Sequence, residues 1–233
     1  LSGREDGSYL FSGMDKSRWG FFPSASVAWR ISNENFMKSA DFLNDLKIRA
    51  SVGMLGNDGV PEYAFLSTYS RYGQKVGYRM VDGSAAFNPA YKPDVVPSLN
   101  LSWERYLSYN VGFDATLWDG LLGMEVDGFY NYTYDILTGQ GSGFPASMGG
   151  YYPTYINYPA IDAKGVDLMV THKNQFSLGG KPFFYGVSAS LTYSKTRWIK
   201  YKDNPEVSDN RKIVGKTYGS ITGWKTCLLY TSD

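Results

Sequence analysis

The sequence predicts an all-β protein, and specifically an antiparallel section of a large transmembrane β-barrel. Three observations carry this. Apolar and polar residues alternate with a period of two along much of the chain, the pattern of strands whose two faces meet different media. Several of the alternating runs are long: soluble strands have a mode of about 5–6 residues, whereas a tilted membrane strand needs about 9–11. The connections between runs alternate between short turns and long loops, as they do in outer-membrane barrels.

The elements follow in order. Residues 1–11, LSGREDGSYLF, have neither the basic start nor the apolar core of a signal peptide and read as the inside of a longer protein, near the end of a strand. Residues 21–31 alternate, and 33–44, NENFMKSADFLN, admit one helical turn on the short-turn side. Residues 46–54 alternate again, and 56–100, rich in Gly, Pro, Tyr and Asn, read as a long loop. The run 101–117 places Leu101, Trp103, Leu107, Tyr109, Val111, Phe113, Ala115 and Leu117 on one face, with Arg105 the one misfit. Its other face carries Ser102, Glu104, Tyr106, Ser108, Asn110, Gly112, Asp114 and Thr116. LWDGL at 117–121 is a short turn, after which 124–136, MEVDGFYNYTYDI, sets Met124, Val126, Gly128, Tyr130, Tyr132, Tyr134 and Ile136 against Glu125, Asp127, Phe129, Asn131, Thr133 and Asp135. A second long loop spans 139–162. Residues 165–173 and 183–196 are the last two strands, joined by the Gly-Gly turn of SLGGKP at 177–182.

What does each face touch? Ser, Thr, Asn, Asp and Gly dominate the polar faces, which suits a wet lumen better than the Lys and Glu of a typical solvated sheet. The aromatic content of 17% suits surfaces that are apolar on one side and wet on the other. Trp29, Trp103, Tyr109, Tyr130, Tyr132 and Tyr134 are the candidates for a lipid-facing band and its aromatic girdles.

Composition excludes several function classes. With 23 Lys and Arg against 22 Asp and Glu there is no basic excess to bind nucleic acid. One Cys and one His leave no zinc cluster and no intrachain disulfide, and His172 reads as a strand residue near a turn. Glu125 and Asp127 form a carboxylate pair, but on a regular strand they are two neighbours of a polar face without the closed site a glycosidase needs. GQGSG at 139–143 follows a strand yet opens no helix and ends in no Lys-Ser/Thr, so it is a loop and not a phosphate cradle. The sequons at Asn100 and Asn131 fall on predicted strands and are chance matches. No enzyme activity, catalytic residue, metal or cofactor is expected.

Five segments, in order, resemble the SusC/RagA family of TonB-dependent outer-membrane transporters. They are REDGS at 4–8; GFFPSASVAWRIS at 20–32 with Glu34, Phe36 and Met37; LKIRASVG at 46–53 with Gly56 and Asn57; SWE at 102–104 with NVGFD at 110–114; and GVDL at 165–168. One departure is that Asp162, Ala163 and Lys164 precede Gly165 where the family commonly has Asn. The resemblance implies a 22-stranded barrel around an N-terminal plug, of which this chain supplies about eight strands and none of the plug. It implies location in the bacterial outer membrane, contact with membrane lipid, and a SusD-like surface lipoprotein that closes the barrel mouth. It further implies import of glycan or peptide fragments, energised by TonB through an N-terminal region lying outside these residues. Glu104, Asp114, Glu125, Asp127 and Asp167 would then face the lumen or the plug, because an unpaired charge against lipid is costly. The loop aromatics Tyr63, Tyr69, Tyr72, Tyr151, Tyr152 and Tyr155 are the candidate ligand contacts, able to stack on sugar rings or to pack loop on loop.

Two other functions stand beside this one: a TonB-dependent receptor for a metal chelate or vitamin, and a secreted carbohydrate-binding β-sandwich, whose strands should be shorter. The expected organisation is a partial barrel domain at 1–226 followed by a non-native tail at 227–233. CLLYTSD is the translation of TGT CTC TTA TAC ACA TCT GAC, which resembles a transposon-end sequencing adapter.

Overall fold

The computed structural model describes residues 1–12, 16–79, 83–140, 144, 147, 152–204 and 206–221. The tail at 227–233 and Tyr151 lie outside them. Eleven strands are present among the described residues: β1 (Ser2–Gly7), β2 (Trp19–Arg30), β3 (Leu43–Asn57), β4 (Thr68–Arg79), β5 (Ala85–Val95), β6 (Glu104–Leu117), β7 (Leu122–Tyr134), β8 (Leu137–Gly139), β9 (Tyr155–Asn157), β10 (Ala160–Leu178) and β11 (Lys181–Lys200). The main sheet has seven strands in the order β1-β2-β3-β6-β7-β10-β11, against the eight or so expected. The remaining four form two small ladders, β4 with β5 and β8 with β9.

Strand length follows from the alternation. β10 and β11 run for 19 and 20 residues and stay in antiparallel register from Ile161↔Trp198 to Leu178↔Lys181, with one irregularity between Ala160 and Ile161. Both exceed what one bilayer crossing needs. Their turn is Gly179-Gly180, each with positive φ, a conformation that a Cβ would penalise. The β6–β7 turn reaches the same region with non-glycine residues, Trp118 and Asp119 at φ 52° and 53°, followed by Gly120 at 86°. Asn44 holds it: its Nδ2 donates to Asp119 Oδ1 at 2.8 Å, and its Oδ1 accepts the Asp119 N–H at 2.7 Å. The helical turn expected at 33–44 takes the form of two 3-10 turns, Ile31–Asn33 and Asn35–Met37.

Two sequence expectations need correction. The stretch 56–100 contains the β4–β5 ladder, with register irregularities between Thr68 and Tyr69 and between Tyr72 and Lys75. Trp103 is not on an outward face. It is 7% exposed and joins Phe11, Phe22, Val60 and Leu101 in a buried cluster, with ring centroids 5.4 Å from both Phe11 and Phe22. Strand β6 starts only at Glu104, so Leu101 and Trp103 keep the alternating phase of the strand but belong to the segment before it.

The chain divides into two compact units, residues 1–27, 51–109 and 133–159 in one, and 28–50, 110–132 and 160–233 in the other. The first holds the buried cluster, against which Leu10, Met54, Ala64, Leu137 and Tyr155 pack. In the second, the apolar set of β10 and β11 is uncovered: Val166, Val187, Leu191 and Tyr193 are all exposed.

Candidate functional site

The polar face of the second unit is built from β3, β6 and β7, which are neighbours in the sheet. Alternation along β3 puts Lys47 and Arg49 on the same face as each other, and Asp114 on β6 and Asp127 on β7 complete the group. Lys47 Nζ donates to Asp114 Oδ2 at 3.2 Å, Arg49 Nε donates to Asp114 Oδ1 at 3.2 Å, and Arg49 Nη2 donates to Asp127 Oδ2 at 2.6 Å. The four side chains are one-fifth to one-third exposed, so the ladder is hydrated but not fully screened.

Glycines make room for this face. A Cβ on Gly112 would lie 2.4 Å from Asp127 Oδ1 and 2.7 Å from the Val126 carbonyl oxygen. A Cβ on Gly165 would lie 2.3 Å from the Tyr193 carbonyl oxygen and 2.6 Å from Phe129 Cζ. The glycines of NVGFD and GVDL are therefore close-approach positions.

The five carboxylates are not equivalent. Asp114 and Asp127 are ion-paired within the sheet, whereas Glu125 is exposed and Glu104 and Asp167 are half-buried. Asp127 Oδ1 and Asp167 Oδ1 are buried without a hydrogen-bond partner among the described residues. Sequence reasoning identified the acids and missed their partners Lys47 and Arg49. The signal was present, because both bases alternate in phase with the polar positions of LKIRASVG.

The first unit carries an open groove of about 390 Å³ whose lining mixes five serines, among them Ser2 and Ser24 sharing a 2.7 Å hydrogen bond, with apolar residues including Leu1, Val52 and Leu55. The loop aromatics named from the sequence differ in their surroundings. Tyr63 is exposed with φ 59°, and Tyr69 is exposed on β4. Tyr72 pairs with Ala90 in the β4–β5 ladder. Tyr152 stacks on Phe144 at 4.6 Å, and Tyr155 packs against the buried cluster. The loops are tied down by Asn157, a residue the sequence did not single out: its Nδ2 donates to the carbonyls of Ser102 and Asp135, and its Oδ1 accepts the Ser102 N–H at 2.9 Å. Among the described residues no cluster of three or more His, Cys, Asp or Glu side chains could hold a metal ion.

Long antiparallel strands with an uncovered apolar face, a polar face of hydroxyls and ion pairs, and connections that alternate along the chain between short turns and long segments define the wall of an outer-membrane β-barrel. The chain belongs to the family of TonB dependent receptor-like β-barrels, whose sequence profile matches residues 2–232. It is 26% identical over 232 residues to the TonB-dependent receptor P39 of Formosa agariphila, covering 99% of this chain and 21% of that protein. It is 28% identical over 209 residues to the TonB-dependent receptor SusC of Bacteroides thetaiotaomicron, covering 84% of this chain and 19% of that protein. Among solved structures, the RagAB peptide transporter matches 85% of this chain and 20% of its own, with a TM-score of 0.66 at 23% identity. The chain thus spans about a fifth of the length of the relatives it matches. Proteins of this family reside in the bacterial outer membrane, and so does this wall section.

Proposed function

We propose that the chain is part of the wall of a SusC-like importer that takes up glycan or peptide fragments, energised by TonB and paired with a SusD-like surface lipoprotein. The likeness to SusC over 84% of the chain is the observation that carries this reading. In it the apolar face meets lipid, and the face bearing Glu104, Asp114, Glu125, Asp127 and Asp167 meets the lumen and plug. The Lys47–Asp114–Arg49–Asp127 ladder neutralises the wall internally, leaving Glu104, Glu125 and Asp167 to meet the plug. Of the loop tyrosines, Tyr63 and Tyr69 are the best placed for a ligand, because Tyr152 and Tyr155 already have aromatic or core partners.

The test uses the full-length gene. Its deletion should abolish uptake of fluorescently labelled oligosaccharides or peptides by whole cells, and a surface lipoprotein should copurify with the tagged product. Loss of ferric-chelate or vitamin uptake with polymer-fragment uptake unchanged would replace this reading with the chelate receptor. Recovery of the protein without detergent would favour the secreted β-sandwich.

A further inference from the structure

The register of β10 with β11 places a pair of like charges directly opposite one another. Lys164 faces Lys195 across the ladder. Two residues along on the same face come Val166 and Tyr193, then Leu168 and Leu191, Val170 and Ala189, His172 and Val187, Asn174 and Tyr185, and finally Phe176 and Phe183, so that His172 and Asn174 are the two polar positions of an otherwise apolar or aromatic series. That this is one face is also evident from its ring contacts, His172 to Tyr185 at 5.5 Å and Phe176 to Phe183 at 5.2 Å. The other face of the same strands is polar, with a Thr171–Ser188 hydroxyl contact at 3.2 Å.

Val166 to Phe176 is ten residues, about 33 Å along the strand at ~3.3 Å each, or about 25 Å in height at a tilt of ~40°. This is the height of the apolar band of an outer-membrane barrel. The Phe176–Phe183 end adjoins the two-residue turn Gly179-Gly180, so it is the periplasmic end. Lys164 and Lys195 therefore lie one alternation beyond the band at the opposite, extracellular edge, at the level of the lipid headgroups.

Like charges directly opposite in a ladder destabilise it unless something neutralises them. The neighbouring acid does not serve. Asp162, 3% exposed, is engaged by Arg197, whose Nη2 donates to its Oδ2 at 2.9 Å. Tyr130 also lies within electrostatic reach of Arg197. Lys164 and Lys195 are both exposed and have no ion-pair partner among the described residues.

We propose that Lys164 and Lys195 form a docking site on the outer wall for a phosphate of an outer-leaflet glycolipid. Their ammonium groups hold the phosphate while the acyl chains lie along Val166, Leu168, Leu191 and Tyr193. The proposal rests on the assignment of the apolar face to lipid.

The test uses full-length protein purified in detergent, carrying the wild-type sequence or Lys164→Gln with Lys195→Gln. Bound lipid is counted by native mass spectrometry after titration with bis-phosphorylated lipid A or with the same glycolipid stripped of phosphate. A lysine near an anionic lipid surface contributes roughly fivefold in affinity, so the double variant should bind the phosphorylated lipid about 25-fold more weakly and each single variant about fivefold. The stripped lipid should bind both proteins alike, Lys164→Arg with Lys195→Arg should retain binding, and excess inorganic phosphate should not displace the lipid. Lys38→Gln, at an exposed lysine in the β2–β3 turn, should have no effect. Equal affinity of wild type and double variant for the phosphorylated lipid, or the same loss with the stripped lipid, overturns the proposal. Heat-modifiable gel mobility of every variant separates this from failure of the barrel reading itself, in which the wild type would also lack a folded, detergent-requiring form.

Discussion

Substituting Gly165 by Ala tests whether the glycines of the wall are close-approach positions. The added Cβ would sit 2.3 Å from the Tyr193 carbonyl oxygen and 2.6 Å from Phe129 Cζ. The phenyl ring can swing aside, but the carbonyl belongs to the β11 backbone and is fixed by the ladder. Ordinary contact begins near 3.4 Å, so the two strands must separate by about 1 Å locally; overpacking of this kind costs about 1–3 kcal/mol. Gly128 on β7 provides the control. A Cβ there would meet only the Val111 carbonyl oxygen, at an ordinary 3.7 Å, and Ala in a strand is favoured over Gly by about 0.5–1 kcal/mol. In full-length barrel folded into vesicles, urea titration monitored by heat-modifiable mobility should therefore destabilise Gly165→Ala and leave Gly128→Ala unchanged or slightly stabilised. Equal midpoints for the two variants would refute the reasoning.

Other expectations follow from the same geometry. Val111→Arg should cost about 2–4 kcal/mol if its exposed side chain faces the bilayer midplane, while Asn110→Arg on the opposite face should assemble normally in a membrane-integration assay. Arg49→Met should destabilise the folded barrel by leaving Asp127 Oδ2 unpaired, and adding Asp127→Leu should recover part of the loss, so a double-mutant cycle should be strongly non-additive. Asn44→Ala should cost on the order of 1 kcal/mol, since it releases a β6–β7 turn held at positive φ; protease nicking between Leu117 and Leu121 should rise in parallel. We propose that residues 227–233 are adapter-derived, so re-sequencing the source DNA should replace CLLYTSD with a different continuation; the same seven codons in an intact gene would defeat this.

Much of the wall was legible because period-two alternation is a local signal that tertiary packing does not have to supply. It failed where the signal outlived the structure. Leu101 and Trp103 alternate in phase with β6, yet they are buried against Phe11 and Phe22, about 80 to 90 positions away, which no local window contains. The β4–β5 ladder was hidden for the opposite reason: Pro89, Pro93 and the glycines at 73 and 77 interrupt the alternation, although two edge strands tolerate them. At the site, alternation could group the acids on the polar positions of their own strands, but the pairing of Asp114 and Asp127 with Lys47 and Arg49 depends on which strands are neighbours. β3 sits beside β6 only because β4 and β5 leave the sheet as a separate ladder.

That departure explains how the two faces come to be stabilised by different means. With β4 and β5 outside the sheet, β3 and β6 meet directly, and the bases of one can reach the acids of the other and of β7. An arginine shared between two aspartates suits a face in contact with water, where desolvation is incomplete and the ion pairs need not carry the fold. The opposite face of the second unit has no comparable internal partner. Val111, Val187, Leu191 and Tyr193 are each 60% or more exposed, too much contiguous apolar surface for water. Hydrocarbon is the solvent in which such a face is satisfied without further protein. The strands can therefore extend to 19 and 20 residues with hardly a buried side chain between them, because lipid takes the place of a second protein layer.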